Sequence, residues 1–122
     1  MSVGEFYEML DALPYRCGNF DVRFTTHDRS TWMEAVSCCV DSDDDLCLQS
    51  GYDNEDNEAC YTVNGLKELL SGEMNDGYDD VENSMDVYAE YRDYDDSEYH
   101  LVLNHRFWIN WKRRRVDVFI RD

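Results

Sequence analysis

Apolar positions in the first thirteen residues recur with helical period. Val3, Phe6, Leu10 and Leu13 form one stripe, and Ser2 with Glu5 three residues later makes a capping box at its start. Pro14 ends this helix, because the residue before a proline resists the α region. Beyond Gly18-Asn19 the period changes to two. Val22, Phe24 and Thr26 alternate with Arg23 and Thr25, and Trp32–Val40 reads as one longer strand. On that strand Met33, Ala35, Ser37 and Cys39 share one face; Trp32, Glu34, Val36 and Cys38 share the other. A short strand at Leu46–Gln49 follows the turn at 41–45. Asn64 is the expected cap of a second short helix carrying Leu66, Leu69 and Leu70 and closed by Gly72. The stretch Glu73–Asn83 reads as loop.

The last third is the most β-like. Met85, Val87, Ala89 and Tyr91 alternate with Asp86, Tyr88, Glu90 and Arg92. Separate strands are expected at Tyr99–Leu103, Phe107–Trp111 and Val116–Ile120. Short connections between alternating strands imply antiparallel hairpins. The predicted class is α+β over a single domain, residues 1–122: an antiparallel sheet of about five or six strands, with the N-terminal helix and the second short helix packed on it.

Charge changes this picture of an ordinary small domain. Twenty-eight acids against eleven Lys and Arg give a formal −17. The 14% of aromatic residues separates the chain from disordered acidic tails, which lack the means to build a core. Solubility alone needs a much smaller net charge. Residues 1–105 carry 26 acids and five bases, whereas residues 106–122 carry six bases and two acids. The bases Lys112-Arg113-Arg114-Arg115 read as a hairpin turn that neutralises nearby acids or lies opposite an acidic face, since a chain of this charge repels polyanions.

The acids fall in three runs. The first holds Asp41, Asp43, Asp44, Asp45, Asp53, Glu55, Asp56 and Glu58, with no base among them. Glu73, Asp76, Asp79, Asp80 and Glu82 form the second, again without a base, and Asp86, Glu90, Asp93, Asp95, Asp96 and Glu98 the third, which contains Arg92. Tyr78, Tyr88 and Tyr94 are interleaved with them, and Asp86, Tyr88 and Glu90 are expected as an outward row on one strand. Tyrosine is favoured at protein interfaces, where it brings large area at little entropic cost. These acids, Glu73 and Glu82 excepted, and the three tyrosines are the expected partner-binding residues.

Motifs for chemistry are sparse. Asp41-x-Asp43-x-Asp45 has the opening spacing of a calcium loop, but Leu46 and Tyr52 stand where the glycine and the bidentate glutamate belong. His27, His100 and His105 are candidate bases without a recognisable nucleophile motif, and His100 is expected to face solvent. Five cysteines (17, 38, 39, 47 and 60) occur with no CxxC pair and no apolar export segment before them. The expectation is reduced thiols in a cytosol, with no metal, no cofactor and no membrane span. A non-enzymatic protein follows.

Carboxylates on alternate residues of a strand stand about 6.6–6.8 Å apart, comparable to successive phosphates along a nucleic-acid strand. In size, acidity, aromatic richness and the runs DSDDD (41–45), DNEDNE (53–58), NDGYDD (75–80) and RDYDDSE (92–98), the chain resembles the small DNA-mimic inhibitors that phages and mobile elements use against CRISPR and restriction systems. The resemblance implies an inhibitor that binds the basic nucleic-acid surface of a bacterial defence effector, such as a CRISPR-Cas nuclease, and competes with DNA. The alternative is an acidic accessory or antitoxin-like module of a mobile element that neutralises another basic protein. The SVGEFYEML helix and the GYDDV stretch (77–81) are similar to short accessory proteins of conjugative elements.

Overall fold

The computed structural model describes residues 1–50, 60–74, 85–92 and 98–121. Helices α1 (Val3–Asp11) and α2 (Val63–Met74) accompany seven strands: β1 (Asp21–Thr25), β2 (Trp32–Met33), β3 (Ala35–Val40), β4 (Leu46–Ser50), β5 (Val87–Arg92), β6 (Glu98–Asn110) and β7 (Arg115–Ile120). The class is α+β, as the periodicities predict. The sheet is larger than expected, and it is mixed: in the order β2-β1-β7-β6-β5-β4-β3, the pairs β1–β7 and β4–β5 run parallel.

The reason is physical. Short connections constrain only consecutive strands, and parallel neighbours need a crossover. Between β4 and β5 that crossover carries α2, so these elements make a β-α-β unit, and β1 and β7 pair in parallel across most of the chain.

Three local readings change. The single strand expected at Trp32–Val40 breaks at Glu34, because β2 and β3 lie on opposite edges of the sheet. One residue thus links the two edges, and the sheet curls until it nearly closes. Tyr61 stitches the seam: its N–H donates to the Ala35 carbonyl at 3.0 Å, and its own carbonyl accepts from Val22 N–H at 3.1 Å. A register shift between Ala35 and Ser37 then inverts the alternation, so Met33 and Ala35 are buried but Cys38, not Cys39, packs against the core.

The strands expected at 99–103 and 107–111 are one, β6. Between Leu103 and Phe107 it spends four residues against two of β7, and this bulge hid the continuity of the strand. Helix α2 begins one residue before the expected cap. Thr62, not Asn64, caps it, with the Thr62 hydroxyl accepting from Gly65 N–H at 3.1 Å; the helix passes through Gly72 to Met74.

Both helices point their apolar stripes at the same core. Val3, Phe6 and Leu10 of α1, with Val63, Leu66 and Leu70 of α2, meet Val22, Phe24, Leu46, Leu48, Val87, Leu103, Val116 and Val118 from the strands. Gly18 sits where α2 starts, and a side chain there would collide with Asn64, whose atoms lie 2.5–2.9 Å from a Cβ at that position.

The predicted capping box of α1 is present. Ser2 N–H donates to Glu5 Oε1, and Glu5 N–H donates to Ser2 Oγ, each at 3.1 Å. His105 of β6 adds a contact at 2.9 Å to the same carboxylate. The His105 hydrogen bond, followed by those from the Ser2 backbone and hydroxyl, holds Glu5 down from 4.5 to about 2. A depressed carboxyl favours the folded state above its unfolded pKa, and this contribution is lost as pH falls from about 4.5 through about 2. Acid titrations followed by circular dichroism should show the native chain exceeding Glu5→Gln in stability at neutral pH, with the difference closing over that window. A difference that is independent of pH would count against the assignment.

Candidate functional site

Three groups of side chains occupy the outer surface of the curled sheet. The first is the acidic turn between β3 and β4. Asp41 organises it: one carboxylate oxygen accepts the N–H groups of Asp43 (2.9 Å) and Asp45 (3.0 Å). Asp44 adopts a left-handed conformation, φ 61°, which Asp tolerates better than most residues.

Hydrogen bonding from the Asp45 backbone holds the Asp41 carboxyl below its usual range. Asp45 is pushed the other way, by burial first and then by the charges of Asp41, Asp86 and Asp43. Burial, followed by Asp86, Asp45 and Asp41, likewise pushes the Tyr88 hydroxyl up. Asp41, Asp43, Asp45, Asp86 and Tyr88 therefore share one negative field.

Among the described residues no cation forms an ion pair with Asp43, Asp44, Asp45 or Asp86. Three acids elsewhere are matched to Lys or Arg: Glu34 with Arg23 at 3.3 Å, Asp11 with Lys67 at 2.8 Å, and Asp117 with Arg115 at 2.9 Å and Arg29 at 3.5 Å.

The second group lies along β3 to β6. Glu90 points outward as expected, on the same face as Tyr88, but it is only 3% exposed. Strand β5 has neighbours on both sides, and their side chains close over the carboxylate. Gln49 Nε2 donates to Oε1 at 3.2 Å, and His100 Nε2 lies 3.3 Å from Oε2. Glu90 is thus not part of an open acidic row. His100 is exposed, as predicted, and its ring stacks on Tyr88 with centroids 6.1 Å apart.

Cys39 and Cys47 are direct cross-strand partners beside Glu90. Cys47 Sγ donates to Asp41 Oδ2 at 3.7 Å. Burial, then the neighbouring charges of Asp41 and Glu90, pushes its thiol up to about 12. This cluster escaped sequence reasoning because its members come from four strands with no fixed spacing. The adjacency of Cys38 and Cys39 was the one local hint that a thiol faces outward.

The third group is cationic and aromatic, on β1, β2, β6 and β7. Residues 111–114 form the turn between β6 and β7, as Lys112–Arg115 suggested. The Arg23 guanidinium lies 3.8 Å from the Trp32 ring centre; Arg29 stands 5.8 Å from Trp108 and 5.6 Å from Phe119; Arg114 stands 5.8 Å from Phe20. Trp32, Trp108 and Trp111 are about half exposed. These bases are balanced by ring faces and by Glu34 and Asp117, not by the acidic turn.

Of the other expected partner-binding residues, Asp53, Glu55, Asp56, Glu58, Asp76, Tyr78, Asp79, Asp80, Asp93, Tyr94, Asp95 and Asp96 lie outside the described residues. For Glu98 the backbone alone is described, in β6 opposite Arg92. A polar groove of about 360 Å³, lined by His27, Asn104, Arg106, Phe119, Ile120 and Arg121, carries one candidate base and no hydroxyl or thiol nucleophile. Among the described residues no helix is long and apolar enough to cross a membrane. No protein-family model, no curated protein and no solved structure matches the chain.

Proposed function

We propose that the protein is a non-enzymatic inhibitor acting in the bacterial cytosol, which sets its acidic end against the basic nucleic-acid-binding surface of a defence effector and competes with DNA. A CRISPR-Cas nuclease, which holds its guide–target duplex in a positively charged channel, is the effector class this reading names. The observation that carries the reading is the unmatched charge at the β3–β4 turn. Among the described residues Asp43, Asp44, Asp45 and Asp86 form no ion pair, whereas Arg23, Arg29 and Arg115 are paired with Glu34 and Asp117. Like charges held together cost free energy, and a partner's lysines and arginines would relieve it. Such carboxylates occupy contacts that a phosphate backbone would otherwise make. Association driven this way is fast and weakens with salt.

The test measures target-DNA binding by a CRISPR-Cas nuclease against increasing protein, at low and at moderate salt. The native chain should displace DNA, less effectively as salt rises. The variant Asp43→Lys/Asp44→Asn/Asp45→Asn, in which Asn retains the left-handed conformation at position 44, should need about tenfold more protein for the same effect, with an unchanged circular dichroism spectrum. Nucleases whose DNA binding is indifferent to excess protein at low salt would reject this reading. So would a variant that inhibits as well as the native chain.

A further inference from the structure

The cluster on β3 to β6 combines donors that rarely meet by accident. Cys39, Cys47 and Glu90 can each offer an atom within 4.8 Å of the other two, and Asp41, Cys47 and His100 can do the same. Cys47 belongs to both triads, and His100 Nε2 lies 3.3 Å from Glu90 Oε2, so the triads abut on one patch. We propose that Cys39, Cys47, Glu90 and His100 bind a zinc ion, with the Asp41 carboxylate beside it as an outer-shell charge.

The donor chemistry selects the metal. Two thiols and an imidazole are soft and borderline ligands, suited to zinc and poorly suited to calcium or magnesium, which prefer oxygen. Zinc takes four ligands in a tetrahedron, with bonds of about 2.0–2.1 Å to nitrogen or oxygen and about 2.3 Å to sulfur. Those lengths place nitrogen and oxygen donors on one ion about 3.3 Å apart and two sulfurs about 3.8 Å apart. The separation of 3.3 Å between His100 and Glu90 already matches.

The sheet positions the donors. Cys39 faces Cys47 across β3–β4 and Glu90 faces His100 across β5–β6; in the parallel β4–β5 register Cys47 is level with Tyr88 and Glu90 with Gln49, so the two pairs lie two residues apart on the same face and meet diagonally. Burial argues the same way. Glu90 is 3% exposed and Cys47 is fully buried, and carboxylates in such surroundings are paired or coordinate metals.

Asp41 is fixed by the turn that it organises. One of its oxygens is occupied by the Asp43 and Asp45 N–H groups, which leaves the other aimed at Cys47. Each thiol passes its proton to buffer as its sulfur bonds the ion, and two thiolates with one carboxylate leave the site at −1. The ion would bind four strands together, β3 through β6. This site is independent of the reading of the acidic turn.

The experiment uses the full chain, reduced with a phosphine that does not bind metal. Zinc is titrated against a chromophoric chelator, and cobalt(II) serves as a spectroscopic substitute. One zinc per chain is expected, and the cobalt form should show a thiolate-to-cobalt charge-transfer band in the near ultraviolet. Cys39→Ser should halve that band, and Cys39→Ser/Cys47→Ser should abolish it while weakening zinc binding by about 100-fold or more; Asp41→Asn, as an outer-shell change, should weaken it about 10-fold. Glu90→Gln keeps the shape of the side chain and carries the test should the double cysteine variant fail to fold. Cys60→Ser, outside the cluster, should bind as the native chain does.

A native chain that binds zinc no more tightly than Glu90→Gln, or cobalt without a thiolate band, overturns the proposal. Zinc binding abolished by Asp43→Asn and untouched by the cysteine variants would place the ion on the acidic turn and overturn it as well. So would a Cys39–Cys47 disulfide that, once reduced, yields no zinc-binding chain.

Discussion

Phe24→Ala should lower the unfolding free energy by about 3–5 kcal/mol, the range for deleting a buried phenylalanine side chain. Phe24 is completely buried in β1, where Met33 and Val118 are its cross-strand partners. Its ring centre lies 6.3 Å from that of Phe6, at an interplanar angle of 60°. The side chain therefore touches the sheet and α1 together, and neither can follow into the space without giving up contacts made elsewhere. Urea unfolding is the check. The midpoint should drop while the slope stays constant, because the surface exposed on unfolding hardly changes. A loss below about 1 kcal/mol would mean that the core collapses around the gap, contrary to the packing described.

Asp117→Ala should cost about 3 kcal/mol, the lower end of what breaking a buried ion pair costs. Asp117 is 1% exposed on the interior strand β7, held by Arg115 Nε at 2.9 Å and Arg29 Nε at 3.5 Å. Removing the carboxylate leaves Arg115, whose side chain is 18% exposed, with its charge unmatched. Arg29 is 49% exposed and can turn to water, which keeps the loss from the upper end of the range. Restoration of stability by adding Arg115→Met to Asp117→Ala would show that the penalty comes from the orphaned cation. Double-mutant analysis of the two positions measures that coupling directly. Additive losses would instead assign the cost to packing.

What could be read from the residues followed the range of the interaction. The start of α1 was legible because Ser2, Glu5 and the stripe from Val3 to Leu13 are all local. The acidic turn was legible for the same reason, with four of its five residues aspartates. Strand faces were legible only where the alternation ran unbroken. The bulges after Ala35 and after Leu103 add residues to one strand alone, which inverts or hides the alternation without changing composition.

Strand order was not legible. Nothing in the apolar alternation of Val22 and Phe24 says that their parallel partners are Val116 and Val118. Glu90 was misplaced as an open acid because its cover, Gln49 and His100, arrives from strands on either side. The zinc-ligand cluster was invisible for the same reason. Its residues span 39 to 100 and meet only once β3, β4, β5 and β6 are in register.

Strand β7 has a consequence for how the chain assembles. It is the last of these seven strands in chain order, yet it sits third in the sheet, joining β2-β1 on one side to β6-β5-β4-β3 on the other. Until residues 115–120 are made, the two parts of the sheet have no strand to connect them, and Val22 and Phe24 lack their parallel partners. Pairing Asp21 with Arg115 closes a loop across most of the chain, which makes the step entropically costly and slow. Folding is thereby deferred until β7 has been made, when one six-residue strand locks both parts of the sheet together.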